Sequence, residues 1–306
     1  MRIRVAQYFD KDKILKFCKD TFEWGDYIAI VLDFWLADPS GILLVADIPD
    51  SRTFQYKPVA ISHISVCQNH LLWIEGIRVD KVHRNKGIAT SLLQYMVKYG
   101  IKNGLCESCA LVSYDNINSK KLFEKHGFSQ SCIYAYYNVK IKKRLEYSVS
   151  HIIIKYACFD DINLICAYLN NSKFYLEKNN RYFNNWKFYK LENTFNCIYN
   201  LIDSKKVFLI LDENSTICGL SIINILDDVD VFYNKPLLQV CYLDCMNYCI
   251  YSKTIYLILD TLFNYNKHKN VQIFVNGSID LHHLFNNNDN YNVDTFEKFI
   301  VYCKKL

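Results

Sequence analysis

The chain is predicted to be an α/β protein of the α+β kind, with a mixed, mostly antiparallel twisted sheet flanked by helices. Three observations carry this expectation. Three apolar strand-like runs follow one another between residues 42 and 79, separated only by short polar turns. A strand, a polar turn, an amphipathic helix, a strand and a short helix come next. The second half of the 306 residues then repeats a similar order, so two domains of about 150 residues each are expected.

Taken in order, Ile3 and Val5 open an apolar alternation that reads as a strand. Asp10 is a candidate cap for a helix whose apolar positions Ile14, Leu15 and Cys18 have helical spacing. A second helix spans Asp26 to Ala37 and ends at Asp38-Pro39-Ser40-Gly41, where proline and glycine forbid continuation. Ile42 to Ile48, Pro58 to Cys67 and His70 to Val79 form an antiparallel meander, its turns lying around Asp50-Ser51-Arg52 and at Gln68-Asn69. The segment from Ile88 to Lys102 reads as a helix burying Leu92, Leu93, Met96, Val97 and Tyr99, stopped by Asn103-Gly104. Ser108 to Tyr114 is a strand, Asn116 to Lys125 a short helix closed by His126-Gly127, and Phe128 to Val139 a strand again.

The basic stretch Lys140 to Arg144 reads as a solvated linker, which sets the expected domains at 1–140, a linker at 141–150, and 151–306. In the second half, Ile152 to Cys158 is a candidate strand and Asp160 to Leu169 a helix. Val207 to Leu211 and Cys218 to Leu226 form a hairpin, Leu237 to Met246 matches the central strand, Lys253 to Tyr265 the long helix, and Val271 to Asn276 the strand after it. This is the pattern of a degenerate internal duplication. Asn286 to Asn290 is an expected exposed loop.

A composition of 51% apolar and 22% charged residues excludes wholesale disorder. No apolar run reaches the roughly 18 residues of a spanning helix, and Met1-Arg2-Ile3-Arg4-Val5 lacks the apolar core of a signal peptide, so a cytoplasmic protein without membrane contact is expected. The thirteen cysteines, most of them in apolar runs, read as reduced buried thiols. Residues 1–150 hold 21 Lys+Arg against 15 Asp+Glu, an excess of 6, while the remainder is nearly balanced. That asymmetry suits an anionic ligand in the first half and is too weak for a dedicated nucleic-acid binder.

The clearest chemical signal is Val79-Asp80-Lys81-Val82-His83-Arg84-Asn85-Lys86-Gly87-Ile88-Ala89, an Arg-x-x-Gly-x-Ala turn between a buried strand and a helix. Gly87 and Ala89 keep the backbone bare, so successive N–H groups from Asn85 to Thr90 can point at phosphate oxygens. The helix N-terminus adds its dipole, and Arg84 and Lys86 add charge. The alternative is an ordinary strand-to-helix turn whose glycine only relieves crowding.

Thirty-two residues beyond Arg84, the stretch Asn116-Ile117-Asn118-Ser119-Lys120-Lys121-Leu122-Phe123-Glu124-Lys125-His126-Gly127-Phe128 follows a strand. With the first turn, it resembles the GNAT superfamily of acetyl-coenzyme A dependent N-acetyltransferases, specifically over Leu71 to Phe128. The resemblance implies a GNAT fold with a second, degenerate GNAT-like domain, and acetyl-CoA as the cofactor. Asn85, Lys86, Gly87, Ile88, Ala89 and Thr90 would hold the pyrophosphate beside Arg84. The main chain of Ile77, Arg78 and Val79 would pair with the pantetheine arm where a bulge splays the strand, Asn116 would bond that arm, and Ser119 would let it pass. Phe123 stands where many members carry a tyrosine that protonates the departing thiolate. Phenylalanine cannot do so, which leaves water or another tyrosine such as Tyr114, Tyr136 or Tyr137.

Glu75, in Trp73-Ile74-Glu75-Gly76-Ile77, occupies the place of a general-base glutamate in several amine acetyltransferases of that superfamily. An amine is protonated at neutral pH, so a base must remove its proton before nitrogen attacks the thioester. The alternative is a structural carboxylate paired with Arg78 or with a neighbouring strand. Phe34 to Pro39, Trp73 to Val79 and Trp186-Lys187-Phe188-Tyr189 further resemble the histidine N-acetyltransferase-like group, which implies the amine of a free amino acid as acceptor. Family geometry suggests Trp24, Tyr27, Tyr136 and Tyr137 as the acceptor wall. Two other functions stay open: acetylation of protein or peptide N-termini, and a catalytically silent acyl-CoA binding module.

No metal site is expected. Cys106-Glu107-Ser108-Cys109 has metal or redox spacing but no second pair, and Cys241, Cys245 and Cys249 fall partly on a strand. His63 and His282-His283 have no evident partners in the sequence. A small-molecule amine is the expected partner, with no nucleic acid, and the chain is expected to be a monomer or homodimer.

Overall fold

The computed structural model describes the chain except residues 20, 22–25, 50–54, 68–69, 144–150, 178–179, 227–236, 266–269 and 287, and the side chains of 225–226, 237, 248–249 and 264–265. The elements of the first part are β1 (Arg2–Val5), α1 (Lys11–Cys18), α2 (Ile28–Ala37), β2 (Gly41–Pro49), β3 (Tyr56–Cys67), β4 (Leu71–Val79), α3 (Ile88–Lys102), β5 (Glu107–Ser113), α4 (Ile117–Lys125) and β6 (Ser129–Ile141). There follow β7 (Ile152–Tyr156), α5 (Ile162–Asn171), α6 (Lys173–Leu176), β8 (Arg181–Asn184), β9 (Lys187–Lys190), α7 (Phe195–Asp203), β10 (Val207–Asp212) and β11 (Ile217–Leu226). The last are β12 (Leu237–Cys245), α8 (Tyr248–Tyr265), β13 (Asn270–Asn276), α9 (His282–Asn286) and β14 (Tyr291–Lys305). No helix among the described residues is long and apolar enough to cross a membrane.

The chain forms two compact units whose membership crosses the expected boundary at 140. One holds Met1–Val112, Asn116–Gln130 and Val301–Leu306; the other holds Ser113–Asp115 and Ser131–Ile300. The strand expected to close the first unit, β6, gives its residues from Ser131 onward to the second, and the end of β14 takes the vacant place in the first. Most of the expected linker, 144–150, lies outside the described residues.

In the first unit the strands run in the order β1-β2-β3-β4-β5, with the end of β14 beside β5. The β1 to β4 pairs are antiparallel, and β4 pairs with β5 in parallel. Parallel neighbours need a crossover, which α3 supplies; its buried stripe is Ile88, Leu92, Leu93, Met96 and Gly100. Val97 and Tyr99, expected in that stripe, are half-buried because they sit at its margins. The edge strand is held by charge. Buried Asp47 accepts from Arg2 Nε at 2.9 Å and Arg4 Nε at 2.8 Å, and Arg4 also clamps Asp10 at 2.7 and 2.8 Å. Asp10 therefore serves Arg4 and the Gln7 N–H, not the capping role at α1 that its position suggested.

The end of β14 is packed as core. Val301 and Tyr302 are fully buried, Tyr302 stacks on Phe123 at 6.0 Å, and its hydroxyl donates to Glu124 Oε1 at 2.7 Å. Lys304 Nζ donates to His126 O at 2.7 Å, and the Leu306 N–H donates to Cys106 O at 3.0 Å. Cys303 forms a disulfide with Cys109 of β5 across 194 residues of sequence. This corrects the expectation of reduced thiols at those two positions: the pairing follows from two strands becoming neighbours, which spacing along the chain cannot show.

The second unit repeats the order with β7-β10-β11-β12-β13, followed by β6 and β14. As in the first unit, the strands before the crossover are antiparallel and the central pair, β12 and β13, is parallel. The α8 helix begins three residues after β12 ends, so no long turn intervenes. The β8–β9 hairpin, unmarked in the sequence analysis, turns through Asn185 and Trp186, both with positive φ. Its Phe183 and Trp186 pack on Phe274 of β13 at 4.7 and 5.2 Å.

Since Tyr302 buries a whole ring in the first unit, Tyr302→Ala is expected to cost about 3–5 kcal/mol in chemical denaturation. Tyr302→Phe, which loses only the bond to Glu124, is expected to cost about 1–2 kcal/mol.

Candidate active site

The site is built around an interruption of β4. Its register with β3 passes from Arg78↔Ile61 to Glu75↔His63, so Gly76 and Ile77 together face Ser62 alone. Gly76 takes φ +67, the left-handed conformation that such a bulge uses. A Cβ there would also lie 2.4 Å from the Trp35 ring, so glycine is required twice over. The β4–β5 ladder ends at Ile74↔Ala110, and beyond that pair the two parallel strands part. The splay thus runs along Glu75 to Val79, where the resemblance implied a pantetheine slot.

The turn after β4 is a solvent-open cradle. Asn85 and Gly87 both have positive φ, at +60 and +76, flanking Lys86. Nothing lies within 4 Å of a Cβ placed on Gly87, so crowding is not what requires a glycine there. The space above it is open to a ligand, and the first-turn N–H groups of α3, which have no intrahelical acceptors, begin there. Arg84 Nε donates to Val79 O at 3.0 Å and Lys86 Nζ to Val82 O at 3.1 Å, which folds both cationic stems back over the turn. Thr90 continues into an open cleft of about 600 Å³ lined also by Gln94, Lys98, Lys125, His126 and Lys304. Asn116 caps α4, its Oδ1 accepting from the Ser119 N–H at 3.0 Å.

On the other side of β4, Glu75 is paired with the neighbouring strand. His63 Nδ1 lies 2.9 Å from Glu75 Oε1, and the opposite ring nitrogen faces Asp38 Oδ2 at 3.4 Å. Arg78 forms a bidentate pair with Asp26, at 2.6 and 3.1 Å, beneath the Tyr27 ring. Burial opposes the Arg78 charge, but Tyr27 and Asp26 outweigh it and hold its pKa above the ordinary value. Burial, with Glu75 and Asp26 nearby, pushes the Tyr27 hydroxyl up to about 12, so it stays neutral at physiological pH.

The other expected residues fall elsewhere. Trp24 lies outside the described residues. Tyr136 and Tyr137 belong to the second unit and are buried there, a correction that follows from β6 pairing with β13: Tyr136 faces Phe274, and the Tyr137 hydroxyl accepts from the Leu281 N–H at 3.0 Å. Phe123 is buried against Phe128 and Tyr302. His63 and Asp38 went unassigned in the sequence. The available signal was a histidine inside the apolar run Val59 to Ile64, which must find polar partners once buried.

The second unit keeps the splay without the cradle. The β11–β12 register shifts at Cys241, and the β12–β13 ladder ends at Val240↔Ile273. Gln239 Nε2 donates to Gln272 Oε1 at 2.8 Å across those two strands, and the hairpin's Asn185 N–H donates to Gln239 Oε1 at 2.9 Å. Buried side chains therefore bond across the ladder one pair before it ends.

Residues 9–128 match the acetyltransferase (GNAT) family. This segment is a GNAT N-acetyltransferase domain, an acyltransferase whose acyl donor is acetyl-CoA. No curated relative matches the chain. Among solved structures, the chain is similar to a GCN5-related N-acetyltransferase from Sphaerobacter thermophilus, at TM-score 0.62 and 12% identity over 99% of this chain and 95% of that one. It is also similar to a tandem GNAT protein from the clavulanic acid biosynthesis pathway, at TM-score 0.50 and 8% identity over 99% and 98%. A third is a GCN5-related glucosamine N-acetyltransferase region of a fungal multi-domain GH3 β-N-acetylglucosaminidase, at TM-score 0.57 and 12% identity over 99% of this chain and 38% of that one. These likenesses establish a tandem GNAT fold along the full length.

A side chain at either positive-φ glycine costs about 1–2 kcal/mol, and only at Gly76 does it also meet a ring. Gly76→Ala is therefore expected to lower the melting temperature more than Gly87→Ala, whereas Gly87→Ala is expected to weaken coenzyme A binding in calorimetry with the smaller loss of stability.

Proposed function

We propose that the first unit transfers acetyl from acetyl-CoA to a primary amine by direct attack, with Glu75 as the general base. The observation that carries this reading is a carboxylate at the bulge of β4, where the strand parts from β5 and then leads into the phosphate cradle. In this reading the N–H groups of Asn85 to Thr90 hold the pyrophosphate, with Arg84, Lys86, Gly87, Ile88 and Ala89 forming the turn. The lysine-lined cleft beyond Thr90 suits the remaining phosphate of the nucleotide end. The main chain of Ile77, Arg78 and Val79 pairs with the pantetheine arm, the Asn116 amide donates to it, and Ser119 leaves room for it.

Glu75 accepts a proton from the acceptor amine through a bridging water. The freed nitrogen bonds to the acetyl carbonyl carbon, and the carbon–sulfur bond breaks. Phe123 has no proton to give, so in this reading the second proton of the amine reaches the leaving thiolate through water. The acceptor is a free amino acid or another small amine, and Tyr27 stands at the acceptor side of Glu75. A protein or peptide N-terminus is the second reading of the acceptor. A silent acyl-CoA module is the alternative that Phe123 keeps open.

A panel of free amino acids, polyamines and short peptides, followed by thiol release from acetyl-CoA, tests the activity. Glu75→Gln is expected to cut turnover roughly 100-fold or more at neutral pH while leaving coenzyme A affinity unchanged. The deficit narrows at high pH, because the amine there is already deprotonated. Binding without turnover on every acceptor would favour the silent module.

The second unit has no long turn after β12 and carries bridged glutamines at its splay. Calorimetry is therefore expected to give one coenzyme A per chain, and a stoichiometry of two would contradict this reading.

A further inference from the structure

His63 is wholly buried, and nothing assigned so far gives it a task. A buried imidazole is costly unless both ring nitrogens serve a purpose. Here Nδ1 meets Glu75 Oε1 at 2.9 Å, and Nε2 faces Asp38 Oδ2 at 3.4 Å. The ring lies flat on Trp35, with centroids 4.7 Å apart and planes within 2° of parallel. Trp35 in turn covers Gly76, the bulge residue. Asp38 is itself fixed, since its Oδ1 accepts from the Ser40 N–H at 2.8 Å and the Ser40 hydroxyl at 2.7 Å. Gly41 makes room for the whole contact: a Cβ there would lie 2.4 Å from Asp38 Oδ2 and 2.5 Å from His63 Nε2.

We propose that His63 is the positioning residue for Glu75, orienting the catalytic carboxylate from behind while Asp38 and Trp35 hold the imidazole in place. The inference rests on the reading of Glu75 as the base. An ionised carboxylate only accepts, so Nδ1 carries a proton and donates it to Oε1. That bond fixes the torsion of the carboxylate and leaves Oε2 to receive the proton of the amine. Among the described residues, the charged or titratable groups near Glu75 include Tyr27 and the Arg78–Asp26 pair. A purely structural filler of this site would need shape alone, whereas this arrangement supplies a directed donor to one oxygen of one carboxylate.

The distinguishing variants are His63→Leu, which removes the donor, and His63→Asn, whose amide nitrogen takes the place of Nδ1. With the acceptor that the amine panel returns, His63→Leu is expected to lower kcat about 10- to 100-fold, the scale of a misplaced catalytic group. The KM for acetyl-CoA should stay within about twofold, since binding is not what His63 controls. His63→Asn is expected to recover most of kcat. A folded His63→Leu protein with wild-type kcat, alongside an impaired Glu75→Gln protein, would overturn the positioning role and leave the base reading intact. A fully active Glu75→Gln protein would instead overturn the base reading itself.

Ring-labelled histidine NMR on the full chain needs no acceptor and covers the case in which His63→Leu does not fold. The His63 signal, assigned by its absence in His63→Asn, is expected to move at fixed pH in both Glu75→Gln and Asp38→Asn and to hold in Lys121→Ala. An unmoved signal in both carboxylate variants would refute the contacts on which the proposal stands.

Discussion

The structure of the first unit depends on one backbone constraint, the left-handed turn of Gly76 in the middle of β4. It inserts an extra residue opposite Ser62, bends the strand, and lies just beyond Ile74↔Ala110, the last pair before β4 and β5 separate. A sheet with an unbroken ladder there would have no opening between its central strands. Trp35 lies on the bare Cα of Gly76, so the bulge is also where α2 meets the sheet. Through the face of that indole the same contact reaches His63 and Glu75. The bulge and the His63–Glu75 pair therefore meet at a single aromatic ring.

The second unit repeats part of that strand geometry. Its central strand is shifted in register at Cys241, and its parallel ladder stops at Val240↔Ile273, so the architecture of a splayed sheet persists. What is missing is the turn that would hold phosphates, because α8 follows β12 directly. Just before the strands separate, Gln239 and Gln272 are bonded across the ladder, and the β8–β9 hairpin donates to Gln239. The bond between these buried amides ties β12 to β13 within the ladder, whereas a ligand slot must leave its polar groups open.

The closing strands impose a second constraint. Each unit takes a strand from the other half of the sequence: β6 from Ser131 onward enters the second, and the end of β14 enters the first. Tyr302 then packs on Phe123, the position that departs from the superfamily's tyrosine. The disulfide between Cys109 and Cys303 joins the borrowed strand to β5. Neither unit is a contiguous segment, which is why a division drawn at residue 140 does not match the packing.

By itself the sequence determined the order of the elements from β1 to β6, the glycine turn before α3 and the capped α4 helix. These are written in local signals: periodicity, Asn116 as a cap, and a glycine whose positive φ is a property of the turn. It also placed Glu75 on a strand inside an otherwise apolar run. Only the tertiary structure decided what Glu75 touches. A two-residue turn at 68–69 would set Ser62 opposite Glu75, and the observed pairing of Cys67 with Leu71 sets His63 there instead. A slip of one residue reverses the face of every side chain in a strand. The partners of His63, Tyr302 and Cys303 are long-range in the same sense, because they depend on which strands become neighbours, and no local pattern encodes that choice.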